Sequence, residues 1–349
     1  MRGGSMGPGT EPPELLGPFE HALERGDSSA ASALVDRVLD AGASPVSVLC
    51  DVVAPAQRRI GERWQSGEWS VAQEHIATGI SVAVTEAVAR RARRLPVTRG
   101  RVVVGCPERE WHALAALVVG TGLRQQGWQV TYLGASTPAD RLASHLHHLD
   151  PTAVAVSCSM AGGLPTARRF IEAATTVGIP VLAGGAAFGT DDRRARALGA
   201  TAWAPSLPDA FELVERLPAT VDPADPLPAA PLAEQRTLEL AHHRLVEQVT
   251  TNWAPVRGRD DDVDGGDLSS VVHDCVEQPL RTLQAALLTG DERLVSEIGA
   301  WVRAVLRARS VPETAVAGLG EELLAAVSHL PLTRELLRAH WPGADRATR

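Results

Sequence analysis

The run Cys106-Pro107-Glu108-Arg109-Glu110-Trp111-His112-Ala113-Leu114-Ala115 follows a short apolar stretch at Val102–Gly105. An imidazole two positions after a carboxylate suits metal ligation. Glu110 can accept a hydrogen bond from one ring nitrogen of His112, which fixes the tautomer and raises the basicity of the other nitrogen. A lone loop histidine is more often structural or solvent-exposed, so the pair needs company. It comes from small residues at the ends of two later apolar stretches: Ser157-Cys158-Ser159 closes Ala153–Ser157, and Gly184-Gly185 follows Val181–Ala183. Residues this small leave room for a long substituent beside the backbone. A second set lies upstream, where Trp64 is followed after nine intervening residues by Glu74-His75. Taken singly, Trp64 reads as core and Glu74-His75 as a solvated face.

These residues must be positioned by regular elements. Helical periodicity from Glu14 to Arg94, broken at Gly26-Asp27, Gly42-Ala43-Ser44-Pro45 and Gly67-Glu68, predicts helices over 14–25, 28–41, 45–66 and 70–94. Ser70 and Gln73 form a capping box at the start of the last one. Trp64 therefore ends one helix and Glu74-His75 opens the next, on one hairpin. Four helices with short loops predict a four-helix bundle over 14–97. From Arg101 to Leu217, strands at Val102–Gly105, Val130–Leu133, Ala153–Ser157, Val181–Ala183 and Thr201–Ala204 alternate with helices such as Leu114–Gln126 and Thr166–Val177. This predicts a flavodoxin-like, doubly wound parallel five-stranded sheet over 98–217, a Rossmann-like domain with its ligand at the strand carboxyl ends. His112 sits at that edge.

A Pro-, Ala- and Asp-rich linker is expected over 218–232, a helical domain over 233–342 and a tail over 343–349. The helical stripes are Leu238, Ala241, Leu245, Val249; Val276, Leu280, Leu283, Leu287; Leu294, Ile298, Trp301, Val302, Val305; and Leu319, Leu323, Leu324, Val327. Residues 1–13, rich in Gly and Pro, read as a disordered N-terminus. The fold class is multidomain, α and α/β. All 34 basic residues are arginine, which excludes lysine Schiff bases and phosphate-loop lysines. The net charge of −8 argues against a binder dominated by nucleic-acid phosphates. Four scattered cysteines with no CxxC suggest neither a disulfide scaffold nor a zinc knuckle. No apolar run is long enough for a membrane span and no signal peptide is present, so a cytoplasmic location is expected.

The arrangement Glu110-x-His112-x-x-Ala115, with Ser157-x-Ser159 and Gly184-Gly185, resembles the cobalamin-binding domain of corrinoid enzymes and photoreceptors. The resemblance implies that His112 displaces the cofactor's dimethylbenzimidazole and becomes the lower cobalt ligand, the one metal-ligating residue expected. It makes Glu110 the partner of that histidine. Ser157, Ser159, Gly184 and Gly185 would line the tunnel of the displaced tail. Two positions depart from the pattern: Glu110 replaces the Asp of the methyltransferases, and Ala115 replaces a Gly. Trp64 and Glu74-His75 resemble the bundle signature of CarH-type cobalamin-dependent photoreceptors. This implies adenosylcobalamin between bundle and sheet, with Trp64, Glu74 and His75 around the adenosyl group: an indole as an apolar lid, Glu and His as hydrogen-bonding groups. Gln65 stands where those proteins can carry a histidine that captures cobalt after illumination, so a bis-histidine product through that position is not expected.

CarH-type repressors place a winged helix-turn-helix before the bundle. About thirteen residues precede it here, so direct DNA binding is not expected. The order of domains resembles the photocobilins, in which a CarH-type sensor is joined to a globin-like helical domain that binds biliverdin. A bilin needs an apolar slot and Arg or His for its propionates. The candidates are His242, His243, Trp253, Arg257, His273, Cys275, Trp301, Arg303 and Arg307, although Trp301 also fits an apolar core and Arg303 and Arg307 a solvated face. Pro279 should kink a helix or begin one. The reading is a cytoplasmic light sensor rather than an enzyme, a homodimer or light-dependent oligomer with small-molecule chromophores and a downstream protein partner. The rivals are a corrinoid methyl-carrier protein of a methyltransferase system and an adaptor that has lost its cofactor.

Overall fold

The computed structural model describes residues 12–253 and 265–342. The first domain comprises α1 (Pro12–Glu24), α2 (Ser28–Asp40), α3 (Pro45–Val48), α4 (Ala54–Gln65) and α5 (Val71–Ala92). Side-chain caps set its helix starts: Asp27 accepts from the Ala30 amide, Ser44 from the Ser47 amide, and Ser70 and Gln73 close the expected capping box. The expected third helix, 45–66, is not uniform, because Leu49–Val53 forms a π-helical turn between α3 and α4. Pro55 has no N–H to give to the carbonyl four residues back. The Ala54 amide bonds the Leu49 carbonyl instead, and the ladder slips by one residue. Phe19, Val35, Val52, Val53, Ile60 and Val84 fill the bundle core.

The second domain contains β1 (Arg101–Pro107), α6 (Leu114–Gln125), β2 (Gln129–Thr137), α7 (Leu142–Leu149), β3 (Ala153–Ser157), α8 (Leu164–Thr175), β4 (Val181–Gly184), α9 (Arg193–Ala197), β5 (Ala202–Ala204) and α10 (Leu207–Arg216). All neighbours pair in parallel, in the order β2-β1-β3-β4-β5, so the expected doubly wound sheet is present. Because the order reverses between β1 and β3, their carboxyl ends border the crevice where such sheets take ligands. The β1–β2 register shifts on both sides of Gly105, loosening the pair near that edge. A Cβ on Gly105 would stand 3.1 Å from Leu133 Cβ, which is why a side chain is disfavoured there.

Residues 217–228 are tied down rather than hanging between domains. The Val221 amide donates to Gly178 O (3.1 Å), the Ala224 amide to Thr175 Oγ1 (3.1 Å), and Arg168 to Asp225 O (2.6 Å). The last helices are α11 (Ala229–Asn252), α12 (Gly265–Thr289), α13 (Arg293–Ala308), α14 (Thr314–Ala326) and α15 (Pro331–His340). Pro279 lies inside α12 and does not end it. The expected stripes are the inward faces, and their core is continuous with that of α7 and α8. A buried ion pair fastens this junction: Arg194 of α9 reaches Asp291 (2.8 Å), and both side chains are at most 2% exposed. The bundle packs on α6, and the C-terminal helices pack on α8, α9 and the loop after β3. The carboxyl edge of the sheet is thereby flanked on both sides.

Candidate functional site

The loop from β1 to α6 is pinned at several points. The Arg109 amide donates to Ser136 Oγ (3.0 Å), the Ser136 amide to Glu110 O (2.9 Å), and Thr166 Oγ1 to Glu108 O (2.7 Å). Arg109 takes a left-handed φ of 67°, an uncommon conformation for a non-glycine residue that these contacts hold in place.

Glu110 is the hub. Its side chain is 1% exposed. Oε1 accepts from His112 Nδ1 (2.7 Å) and from the His112 amide (2.9 Å), while Oε2 accepts from the Ser159 and Met160 amides (2.7 and 3.0 Å). Burial opposes its ionisation, but the His112 hydrogen bond, the amides and the imidazole charge outweigh it and hold the carboxyl at about 2. With Nδ1 donating to a carboxylate, the lone pair of His112 lies on Nε2, and the ring is 62% exposed. The Glu110 hydrogen bond, opposed by desolvation and aided by the charge of Glu74, raises the His112 pKa above the ordinary value. The result is one basic nitrogen held ready at the sheet edge. Among the described residues, no group of three His, Cys, Asp or Glu could hold a metal ion. A single imidazole suits a metal that brings its other ligands with it, as a corrinoid does.

The charge of Glu74, at the start of α5, adds to the upward shift of the His112 pKa. Glu74 Oε2 meets His75 Nδ1 (2.6 Å), and Oε1 accepts from Thr78 Oγ1 (2.9 Å), which in turn accepts from Gln57 Nε2 (2.9 Å). His75 is 73% exposed. Trp64 is engaged from a direction that no sequence pattern indicated. Its ring stacks with Trp301 of α13 (centroids 6.3 Å apart, 25° between planes), the Arg309 guanidinium lies 5.7 Å from its centroid, and Arg309 Nη2 donates to Trp64 O (3.3 Å).

The other expected residues also lie at the sheet edge. Ser157 ends β3 and is buried, Gly184 ends β4, and Ala115 is half-buried in the first turn of α6. Ser159 acts through its amide on Glu110. Gly185 has φ of 102°, and a Cβ there would stand 2.3 Å from Cys158 O; glycine is needed for that approach whatever fills the cleft. Sequence reasoning missed the Met160 amide, whose role does not depend on its side chain, and Ser136, whose hydroxyl takes the Arg109 amide and whose amide donates to Glu110 O. It also passed over Trp111, a large aromatic 73% exposed beside His112, whose position in the loop was the available signal.

The C-terminal candidates do not form one pocket. His242 is buried against α12, and Nε2 lies 3.6 Å from Glu277 Oε1, while neither ring nitrogen has a hydrogen-bond partner among the described residues. His273 approaches the other oxygen of Glu277 (3.7 Å). Trp301 instead meets the bundle, Trp253 Nε1 donates to Ala315 O (2.9 Å), Cys275 is buried, and Arg303 pairs with Glu313 (3.1 Å). His243 and Arg307 are exposed, and Arg257 lies outside the described residues. Helical phase explains the scatter, since His242 and Glu277 share the α11–α12 seam whereas Trp301 is on the face of α13 turned towards α4.

Family comparisons agree with this geometry. Two models, each described as a B12 binding domain, match residues 15–88 and 100–214, so the chain carries two B12-binding domains and its cofactor class is a cobalamin or corrinoid. The HTH-type transcriptional repressor CarH of Myxococcus xanthus is 32% identical over 173 residues, 48% of this chain and 56% of that protein. The repressor CarA of the same organism is 33% identical over 160 residues, 42% of this chain and 51% of its own. The chain thus spans about half the length of these curated relatives. The trimethylamine corrinoid protein of Methanosarcina barkeri is 25% identical over 152 residues, 42% of this chain and 69% of that protein. The solved monomethylamine corrinoid protein of Methanosarcina barkeri shares the fold, with a TM-score of 0.52 at 16% identity over 58% of this chain and 99% of its own. Among the described residues, no helix is long and apolar enough to cross a membrane.

Proposed function

We propose that the chain is a light sensor that holds adenosylcobalamin between its helical bundle and its parallel sheet, with His112 Nε2 as the lower cobalt ligand. The observation that carries the cofactor part is the buried Glu110, which fixes Nδ1 of an exposed His112. When bound, adenosylcobalamin supplies a light-labile cobalt–carbon bond. Glu110 orients the imidazole and keeps its outward nitrogen basic. Ser157, Ser159, Gly184 and Gly185 border the space for the displaced tail. Glu74 and His75 face the cleft from α5, where they can hydrogen-bond a ribose or a base, and Trp64 closes its upper side. Relief of those upper contacts frees the bundle to shift against the sheet, and the C-terminal helices carry the shift to a partner or a second copy. The Trp64 and Glu74-His75 signature and the similarity to CarH and CarA support this reading over carriage of small alkyl groups.

Biliverdin is proposed as the second chromophore, at the α11–α12 seam. Its support is His242, a buried imidazole on that seam whose Nε2 approaches Glu277 Oε1 at 3.6 Å. A red-absorbing band that co-purifies with the protein and shifts in His242→Ala is the expected result.

The second reading is a corrinoid methyl carrier, favoured by the fold shared with a corrinoid protein over 99% of that protein's length. Absorbance of the full chain reconstituted in darkness and then exposed to green light separates the two. The sensor reading expects tight retention of adenosylcobalamin and a spectral change on illumination. Retention of methylcobalamin but not adenosylcobalamin supports the carrier.

A further inference from the structure

Trp301 lies more than 200 residues beyond Trp64 in the chain, yet their rings stack with centroids 6.3 Å apart. Two further residues, Ala308 and Arg309, bring the end of α13 to the same hairpin. Arg309 covers the Trp64 ring and donates to its carbonyl, and a Cβ on Gly67 would stand 3.5 Å from Ala308 O. The hairpin that presents Trp64, Glu74 and His75 to the cleft is therefore seated on a helix of another domain. That domain is fixed to the sheet by the buried Arg194–Asp291 pair (2.8 Å) and by Arg169–Glu239 (3.0 Å). A half-buried indole on a surface hairpin has several rotamers of similar energy. One stacked partner on a rigid helix selects among them.

We propose that Trp301 is a positioning residue that determines which upper cobalt ligand the cleft accepts: by holding the Trp64 ring, it shapes the upper wall for a bulky nucleoside-type group over a methyl group. This rests on the reading that Trp64 faces the upper ligand. On that reading a small upper group would make few contacts with the wall, so its binding would be nearly indifferent to the Trp64 pose. A large one makes its contacts there and loses them when the ring is free to turn. The selectivity of the cleft is thus set by a residue of the C-terminal domain, outside both matched B12-binding regions.

The test is equilibrium binding of adenosylcobalamin and methylcobalamin, in the dark, to the full chain and to Trp64→Ala, Trp301→Ala, Trp301→Leu and Trp301→Phe. Near-UV circular dichroism of the cofactor-free proteins reports the tryptophan pair. Trp301→Ala should lose the signal of the stacked rings and lower the adenosyl-over-methyl preference by about three- to tenfold, the range for one aromatic pair. Methylcobalamin affinity should stay unchanged. Trp301→Phe should restore most of the preference, and Trp301→Leu, which keeps apolar bulk and guards against a misfolded alanine variant, should not. An unchanged preference in Trp301→Leu, with Trp64→Ala reducing it, overturns the proposal and spares the reading beneath it. If Trp64→Ala also leaves the preference unchanged, both are overturned. Equal loss of affinity for the two cobalamins in Trp301→Leu makes the contact merely structural and likewise overturns the proposal.

Discussion

The two sides of the cleft are built on opposite principles. Below, Glu110 is 1% exposed and satisfied by four donors, so His112 is fixed before any ligand arrives. Above, His75 is 73% exposed and the Trp64 ring is held by Trp301 and Arg309 of another domain. A wall that must ligate a metal gains from rigidity, because the imidazole then need not be ordered on binding. A wall that must respond to a change in the upper ligand gains from marginal contacts that are easily exchanged. On the proposed function, the lower side anchors the cofactor and the upper side reports its change.

The largest effect should come from breaking the lower wall. His112→Ala is expected to weaken cobalamin binding by more than about a hundredfold, beyond the usual effect of losing a ligand's hydrogen-bond partner, and to leave the bound fraction without histidine ligation. Titration followed by absorbance would show this. Glu110→Gln keeps the shape but removes the charge and turns one of the two accepting oxygens into an NH2 donor facing other donors, so affinity should fall by about 10- to 100-fold. Comparable substitutions above, Glu74→Gln or His75→Ala, should change adenosylcobalamin binding far less and methylcobalamin binding hardly at all.

The seat of the upper wall is tested through stability. Asp291→Ala removes one of the two carboxylates on the buried Arg194, which keeps Glu297 (2.6 Å), and chemical denaturation should show a loss of about 1.5–3 kcal/mol. The same pair predicts a pH dependence. Burial opposes the ionisation of Asp291, but Arg293 and Arg194 outweigh it and hold the carboxyl at about 2. A carboxyl with a folded pKa below its unfolded value, about 3.9, stabilises the fold above the unfolded value, and that contribution is lost as pH falls through the folded one. Stability should therefore decline between about pH 4 and pH 2, and Asp291→Asn should make that part of the curve shallower, with Glu110 still contributing to it. The smallest effect belongs to Ser70→Ala, which removes the cap of α5 just before Glu74-His75 and should lower stability by about 1 kcal/mol.

Local chemistry made much of this legible in the sequence. The capping box at Ser70, the alternation of strands and helices, and the Glu110–His112 spacing each depend on neighbours within a few residues, and each is found in the structure. The π-helical turn was written in Pro55, but the lost amide does not say whether a helix breaks, kinks or slips. The amides of Ser159 and Met160 on Glu110 span about fifty residues, and nothing in their types announces them. The scattered C-terminal candidates show the same limit, because a list of Arg, His and Trp lacks the helical phases that send His242 and Trp301 to different neighbours.

The most direct test of the central claim is electron paramagnetic resonance of the full chain reconstituted with cobalamin in its paramagnetic cobalt(II) state, prepared with natural and with nitrogen-15 histidine. If His112 is the lower ligand, the superhyperfine splitting changes from triplets to doublets on labelling, and the histidine pattern vanishes in His112→Ala. Triplets that persist with labelled histidine would assign the ligand to the cofactor's own benzimidazole and contradict the account.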